Sequence, residues 1–382
     1  ACAGYDETGG MTELVRTEAE QAVARLARHA SMALWCGGNE TVWGSEEWGW
    51  EDSLGDERTW GWGFYTNVLP SVVERLDPGR PYIPNSPWST IEGALASSHE
   101  SGPTHLWDTW NNRDYVTYRS SSPAFVSEMG WCAPPAFTTL RDALTEGGVR
   151  PDNPQVVHHM RAAEGMHKLA RGIQPHFPAT TSESDWIFHT QLVQADAQRV
   201  GAEWLRSRER NAGVIVWQLN DCWPVLSWSA IDSAGIEKPL WHALRSSFAP
   251  RLATIQPVTP GNAQHPSGPD GLTLTLVNDT GEVWDATVRL RRLGFDGVER
   301  ASTTFTVRCD GDGVEAVRLT DEIAIPDVEE QEFIVADVDE LRAVWAFVPH
   351  RRRRGPIAEW DARVEEGAVI VTAGSVVTEL YL

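Results

Sequence analysis

The chain has 382 residues, 41% of them hydrophobic, with 54 acidic against 32 basic side chains and a formal net charge of -22. That length allows about two or three cored units. The charge repels phosphate backbones and anionic headgroups, which argues against nucleic acid and membrane surfaces as partners, and no apolar run approaches the roughly 18 residues of a bilayer span.

The amino terminus, Ala1-Cys2-Ala3-Gly4-Tyr5-Asp6, has neither a basic n-region nor an apolar h-region. Five scattered cysteines (Cys2, Cys36, Cys132, Cys222, Cys309) form no CxxC pair, which fits reduced thiols in a bacterial cytoplasm. Nineteen Trp are the compositional anomaly. About half suit core packing; many others sit beside carboxylates and amides, where indole faces can stack on sugar rings.

Up to about residue 248 short apolar runs alternate with helical segments. The runs are Met32–Cys36, Tyr82–Pro84, His105–Trp107, Phe125–Val126 and Val214–Trp217. Between them lie amphipathic stretches: Glu18–His29, Phe64–Leu76, His158–Gly172 and Ala195–Arg208. This alternation predicts parallel α/β architecture. Polar residues follow the runs repeatedly: Asn39-Glu40, Asn85-Ser86, Asp108, Ser127-Glu128 and Asn220-Asp221. A (β/α)8 TIM barrel builds its site at the carboxyl ends of strands, so the fold expected is such a barrel, with five of its eight strands, strands four to eight, present. The domain is therefore incomplete, its remainder lying in a partner chain or in a longer protein.

Pro257 to Gly271 reads as an interdomain linker. Beyond it the period becomes two, in Leu272–Val277, Ala286–Arg292, Thr303–Arg308, Phe333–Val335 and Ala343–Val348, which predicts an immunoglobulin-like β-sandwich. Arg351–Arg354 is read as a solvated linker rather than a polyanion site, and Trp360–Leu382 as the start of a further, truncated sandwich with two strands around Glu365-Glu366-Gly367. The domains expected are 1–248, 249–354 and 355–382.

Cleaving a glycosidic bond needs one carboxylic acid to protonate the leaving oxygen and a second carboxylate to attack the anomeric carbon or activate water. Glu40 closes Leu34-Trp35-Cys36-Gly37-Gly38-Asn39-Glu40, where an apolar strand becomes a loop. Glu128 stands in the same relation to Phe125-Val126. A barrel can bring two such strand ends across one cavity, although a lone Glu after a strand is more often solvated or capping.

Trp35-Cys36-Gly37-Gly38-Asn39-Glu40 resembles the acid/base motif of family 2 glycoside hydrolases, in its β-mannosidase version. Phe125-Val126-Ser127-Glu128-Met129-Gly130-Trp131 resembles that family's nucleophile motif. Val214 to Pro224, continued by Ser227-Trp228-Ser229 and Lys238-Pro239-Leu240, is similar to its last-strand signature. The resemblance spans essentially the whole chain. It implies a retaining exo-β-mannosidase with Glu128 as nucleophile, Glu40 as acid/base and no cofactor or metal. It also implies that Asn39 bonds the sugar 2-hydroxyl, that Trp107, Asp108 and Trp110 line the cleft, that Trp48 flanks the leaving group and that Trp217 floors the bound ring. Asn220 and Asp221, with Gln218 and Trp223, are substrate contacts or, preferably, supports. Gly38, Met129 and Cys132 depart from the usual Asn, aromatic and polar residues, which puts fine specificity rather than reaction class in doubt. Other family 2 specificities (β-galactosidase, β-glucuronidase, exo-β-glucosaminidase) and a non-catalytic sugar-binding fragment stand as alternatives. His158, His159 and His167 lack metal-site spacing and are read as ordinary histidines.

Overall fold

A computed structural model describes residues 4–7, 9–50, 61–378 and 380. Cys2 lies outside the described residues. The chain divides into two compact units, one of Ala1–His105, Ser122–Glu128 and Arg210–Ile215, the other of Leu106–Ser121, Met129–Glu209 and Val216–Leu382.

Five short strands match the five apolar runs: β1 (Trp35–Asn39), β2 (Tyr82–Ser86), β3 (Pro103–His105), β4 (Phe125–Met129) and β5 (Val214–Val216). β1 pairs with β2 in parallel, and β3 with β4 likewise, with β5 next to β4. The expectation of one continuous five-stranded sheet is met only in part. β2 and β3 belong to separate sheets, linked by a bond from Trp88 N, just past β2, to O of Pro103, the first residue of β3, at 3.1 Å.

In the first unit the helix Leu69–Leu76 continues directly from a π-helical turn, Phe64–Val68, with Pro70 just past the junction. It packs Val72 and Val73 against Val23 of the helix Gly9–Leu26. Asp77, which caps its far end, accepts from Trp35 Nε1 at 2.9 Å and Arg80 Nη1 at 2.6 Å. Arg80 also donates to the carbonyls of Ala27 and Met32, so one guanidinium ties the chain entering β1 to the chain entering β2.

In the second unit the helix Glu183–Arg206 is longer than its amphipathic stretch suggested. Its Ser182 cap accepts from Asp185 N at 3.0 Å. Its glutamines do structural work: Gln194 Nε2 donates to Trp131 O at 2.7 Å and Gln191 Nε2 to Pro134 O and Pro135 O, pinning the segment after Met129. The stretch expected as one helix over His158–Gly172 is two, Pro154–His159 and Gly165–Ile173. The break falls at Glu164, which is left-handed, and at Gly165, where any Cβ would meet the Met160 side chain.

The same unit holds a sandwich of a three-stranded sheet, β6 (Arg251–Pro257), β7 (Leu272–Asn278) and β10 (Gly313–Arg318), and a four-stranded sheet, β8 (Trp284–Gly294), β9 (Glu299–Cys309), β11 (Glu332–Val338) and β12 (Leu341–Ala346). All its pairings are antiparallel. Along β8, Trp284, Ala286, Val288 and Leu290 are buried while Asp285, Thr287 and Arg289 are exposed, the period of two made physical. They join Leu272, Leu274 and Leu276 of β7 and Ile334 and Ala336 of β11 in one core. Arg292 also points inward, neutralised by Glu332 at 2.5 Å.

Two expectations are corrected here. Residues 258–271 are no interdomain linker: β6 and β7 pair with each other, and Val258 N donates to Gly271 O at 2.9 Å, so the segment is a loop within one sheet. Nor is Arg351–Arg354 simply solvated. Arg351 N donates to His176 O, Arg352 Nη2 pairs with Glu329 and Glu330, and Arg354 N donates to Glu330 O, so the run is spent on tying loops together. The last two strands, β13 (Trp360–Glu365) and β14 (Ala368–Ala373), form the expected hairpin, with Glu366 and Gly367 at positive φ in its turn.

Candidate active site

The first unit builds its site from the ends of its parallel strands. β1 carries Gly37 and Gly38 because β2 approaches it closely: a Cβ on Gly37 would lie 2.7 Å from Pro84 O, and one on Gly38 2.5 Å from Asn85 Nδ2. The chain then turns abruptly. Glu40 N donates to Ser86 O at 2.7 Å, and Glu40 O accepts from Gly44 N at 2.8 Å to open the helix Thr41–Glu47. Between them Glu40 sits at φ 58°, a left-handed conformation rare for a residue with a Cβ. Its side chain is directed into the protein, leaving the residue 7% exposed.

Glu128 arrives from β4, where it is in register with His105 at the end of β3. His105 Nδ1 lies 2.8 Å from Glu40 Oε1 and 3.4 Å from Glu128 Oε2. That nitrogen and one oxygen from each carboxylate all lie within 4.8 Å of one another. Two ionised carboxylates that close repel by on the order of 3 kcal/mol at an effective protein dielectric. A proton or an N–H between them relieves this. The other ring nitrogen, Nε2, lies 3.0 Å from Ser86 Oγ, which is 2.7 Å from Ser127 Oγ. Two carboxylates and an imidazole are also a set that a divalent cation accepts. A bound cation would use the same lone pairs as these hydrogen bonds, so the two arrangements exclude each other.

His105 joins the two glutamates here, and the sequence pattern does not single it out. In the sequence it heads an apolar run, but β3 stops at His105 rather than continuing to Trp107. It therefore occupies the strand-end position that singled out Glu40 and Glu128. Aromatic rings surround this group. Trp43 stands edge-on to His105 at 5.9 Å, Trp48 lies 4.9 Å from Trp43, and Trp50 lies 5.1 Å from Trp48. Trp48 is 42% exposed and Asn39 is exposed beside Glu40, so both are reachable from solvent.

The remaining expected residues belong to the second unit. Trp107 and Asp108 open the helix Trp107–Asn112 instead of ending a strand. The Asp108 carboxylate is paired with Arg113 at 2.5 Å and accepts from Asn112. Trp107 packs on Trp228, while Trp110 is buried between Trp131 and Trp228, its ring facing protein. Trp217 N donates to Met129 O at 2.8 Å and the residue is 42% exposed. Asn220 is exposed. Asp221 accepts from Ser227 Oγ at 2.7 and 2.8 Å and from Ser229 Oγ and Gln218 Nε2, the geometry of a support. His159 is engaged by Pro224 O and the Trp223 ring.

No family model matches the chain. Over 264 residues it is 28% identical to beta-mannosidase B of Emericella nidulans and 29% identical to that of Aspergillus niger; each match covers 65% of this chain and 31% of the relative. The beta-D-mannosidase of Dictyoglomus thermophilum superposes with a TM-score of 0.85 at 29% identity, over 98% of this chain and 46% of that one. An exo-chitosanase of Amycolatopsis orientalis, 14% identical with a TM-score of 0.66, shares the fold alone. The chain thus spans about a third of the length of the curated relatives and under half of the solved one. Fold and relatives together make the chain similar to part of a glycoside hydrolase, α/β segments followed in the chain by β-sheets. More narrowly, it is similar to β-mannosidases.

Proposed function

We propose that the protein carrying this chain is a retaining exo-β-mannosidase that releases terminal β-D-mannose from oligosaccharides or glycans. The observation that carries the reading is the meeting of Glu40 and Glu128, carboxylate oxygens within 4.8 Å, around one imidazole. Retaining enzymes hold their carboxyl groups about 5–5.5 Å apart, whereas inverting enzymes leave room for water at roughly 6.5–9.5 Å. Glu40 gives its proton to the glycosidic oxygen as that bond breaks, while a Glu128 oxygen bonds to the anomeric carbon. Glu40, now a carboxylate, takes a proton from water as the water oxygen displaces Glu128. Asn39 would meet the sugar 2-hydroxyl and Trp48 the leaving-group side; Trp107, Asp108, Trp110, Trp217, Asn220 and Asp221 would line or support the cleft.

The five parallel strands are read as strands four to eight of a barrel whose domain ends near residue 248. An immunoglobulin-like sandwich follows to 354, and part of another after it. The exposure of Ile215 on β5, at 53%, supports a barrel that further strands would cover. The substrate is a neutral glycoside and the compartment the cytoplasm.

Aryl β-mannoside and aryl β-galactoside hydrolysis, with Glu128→Gln and Glu40→Gln variants, tests this. Mannoside turnover that falls at least about a thousandfold in Glu128→Gln is expected. Activity on the galactoside alone would overturn the specificity, and unchanged turnover in Glu128→Gln would overturn the mechanism.

A further inference from the structure

We propose that His105 is a positioning residue for the carboxylate pair, its Nδ1–H bridging Glu40 and Glu128 and its tautomer set by the Ser86–Ser127 hydroxyls. This rests on the roles proposed above for the two glutamates. Glu128 is ionised as the nucleophile and only accepts hydrogen bonds, so Nδ1, 3.4 Å from its Oε2, is the protonated nitrogen, and Glu40 accepts from it through Oε1, 2.8 Å away. The neutral ring then presents Nε2 as an acceptor, 3.0 Å from Ser86 Oγ. Ser86 can donate to it because its own oxygen can accept from Ser127 Oγ, 2.7 Å away. Ser127 immediately precedes Glu128, and Ser86 O holds the Glu40 amide, so the relay is anchored on both catalytic strands. With Nδ1 protonated, Ser86 donates to Nε2, and the Ser127 hydroxyl, whose other acceptor is the more distant Thr104 O at 3.4 Å, donates to Ser86. His105 is 4% exposed, which keeps water from competing for either nitrogen.

The arrangement gives the two steps different geometries. Before the glycosyl ester forms, Nδ1–H is shared, 2.8 Å to Glu40 and 3.4 Å to Glu128. It fixes Oε1 of Glu40 and so sets the plane of the carboxyl group that faces the leaving group. Once a Glu128 oxygen is esterified to the sugar, that group loses its charge and accepts weakly. The N–H then falls to Glu40 alone and orients it as a carboxylate for the incoming water. His105 itself gains or loses no proton over the cycle.

The test compares 2,4-dinitrophenyl β-mannoside, whose leaving group needs little protonation, with 4-methoxyphenyl β-mannoside, whose leaving group needs much. For His105→Ala, kcat/KM on the methoxyphenyl substrate should fall about a hundredfold or more, the scale of general-acid assistance. On the dinitrophenyl substrate kcat/KM should fall less than about tenfold, while kcat, which reads the base step, falls further. His105→Asn keeps an N–H in reach and should recover at least about tenfold of the loss. Ser86→Ala, which leaves the ring in place, should show the same leaving-group dependence at about three- to tenfold and decides the matter if His105→Ala does not fold. Equal losses on both substrates, or no loss in Ser86→Ala, would overturn the role of His105 while leaving the glutamate assignment intact. A parent protein without turnover on either substrate would overturn both.

Discussion

Lys238 is a buried cation whose removal should stabilise the fold. It is 1% exposed, and its Nζ has no hydrogen-bond partner among the described residues. Burial drives its pKa down to about 8, against the opposing pull of Cys132, Asp221 and Asp232. A lysine depressed on folding is penalised in full below its folded value and relieved as pH rises toward 10.5. The shift from 10.5 to about 8 corresponds to about 3 kcal/mol at pH 7. Lys238→Met fills similar space without the charge. Its neighbours keep their own donors: Asp221 holds Ser227 and Ser229, and Asp232 accepts from Ala136 N, Thr139 Oγ1, Ala234 N and Ile236 N. Urea unfolding followed by tryptophan fluorescence should therefore find the variant more stable by up to about 3 kcal/mol at pH 7. The gap should narrow by about 1 kcal/mol at pH 9, as the native lysine sheds its proton. The Cys132 thiol, pushed up to about 12 by burial, tilts stability the opposite way above pH 9, but it is present in both proteins and largely cancels in the difference. A variant no more stable at pH 7, or a gap that does not change with pH, would refute the reasoning.

Three further outcomes are expected. Glu332→Ala leaves buried Arg292 only the exposed Asp327 carboxylate, 3.2 Å away, and should cost up to about 3 kcal/mol in urea unfolding; making Arg292→Met as well should return part of it, since the Val328 N–H also loses its acceptor. Gly130→Ala puts a Cβ 2.5 Å from Trp217 O and 2.8 Å from the Trp107 ring, and should lower the melting temperature by the equivalent of about 1–3 kcal/mol. Burial alone would raise the Asp196 carboxyl, but the His350 hydrogen bond and the Arg199 and Arg353 charges outweigh it and hold the carboxyl below its ordinary value. The stability this supplies is complete above the ordinary carboxylate range and is lost as pH falls through the lowered one. His350→Leu should therefore move the acid-unfolding midpoint, followed by circular dichroism, to higher pH.

Much of this was legible in the chain. Period two in Leu272–Val277 and Ala286–Arg292 marked sandwich strands because each face meets a different solvent, and the structure puts strands there. β6 and β10 carry no such pattern: β6 is buried along nearly its whole length and β10 has no buried residue, so neither alternates. Glu40 and Glu128 stood out because strand ends put their side chains where chemistry is possible. His105 obeyed the same rule but was hidden by an apolar neighbour, Leu106, that made the strand look longer. What a linear pattern cannot supply is pairing at a distance. Arg80 gathering three carbonyls and Asp77, or Arg352 holding Glu329 and Glu330, exists only once the chain has closed on itself.

The left-handed backbone at Glu40 sets thermal durability against turnover. A residue with a Cβ pays about 1–2 kcal/mol there that glycine would not. A library selected only for surviving heat should therefore drift toward Gly or Asn at position 40 and grow sturdier as it goes silent. A library selected for sugar release should hold Glu at that position and recover the deficit elsewhere. Sequencing the survivors of the two regimes would show whether the site and the scaffold compete for the same residue.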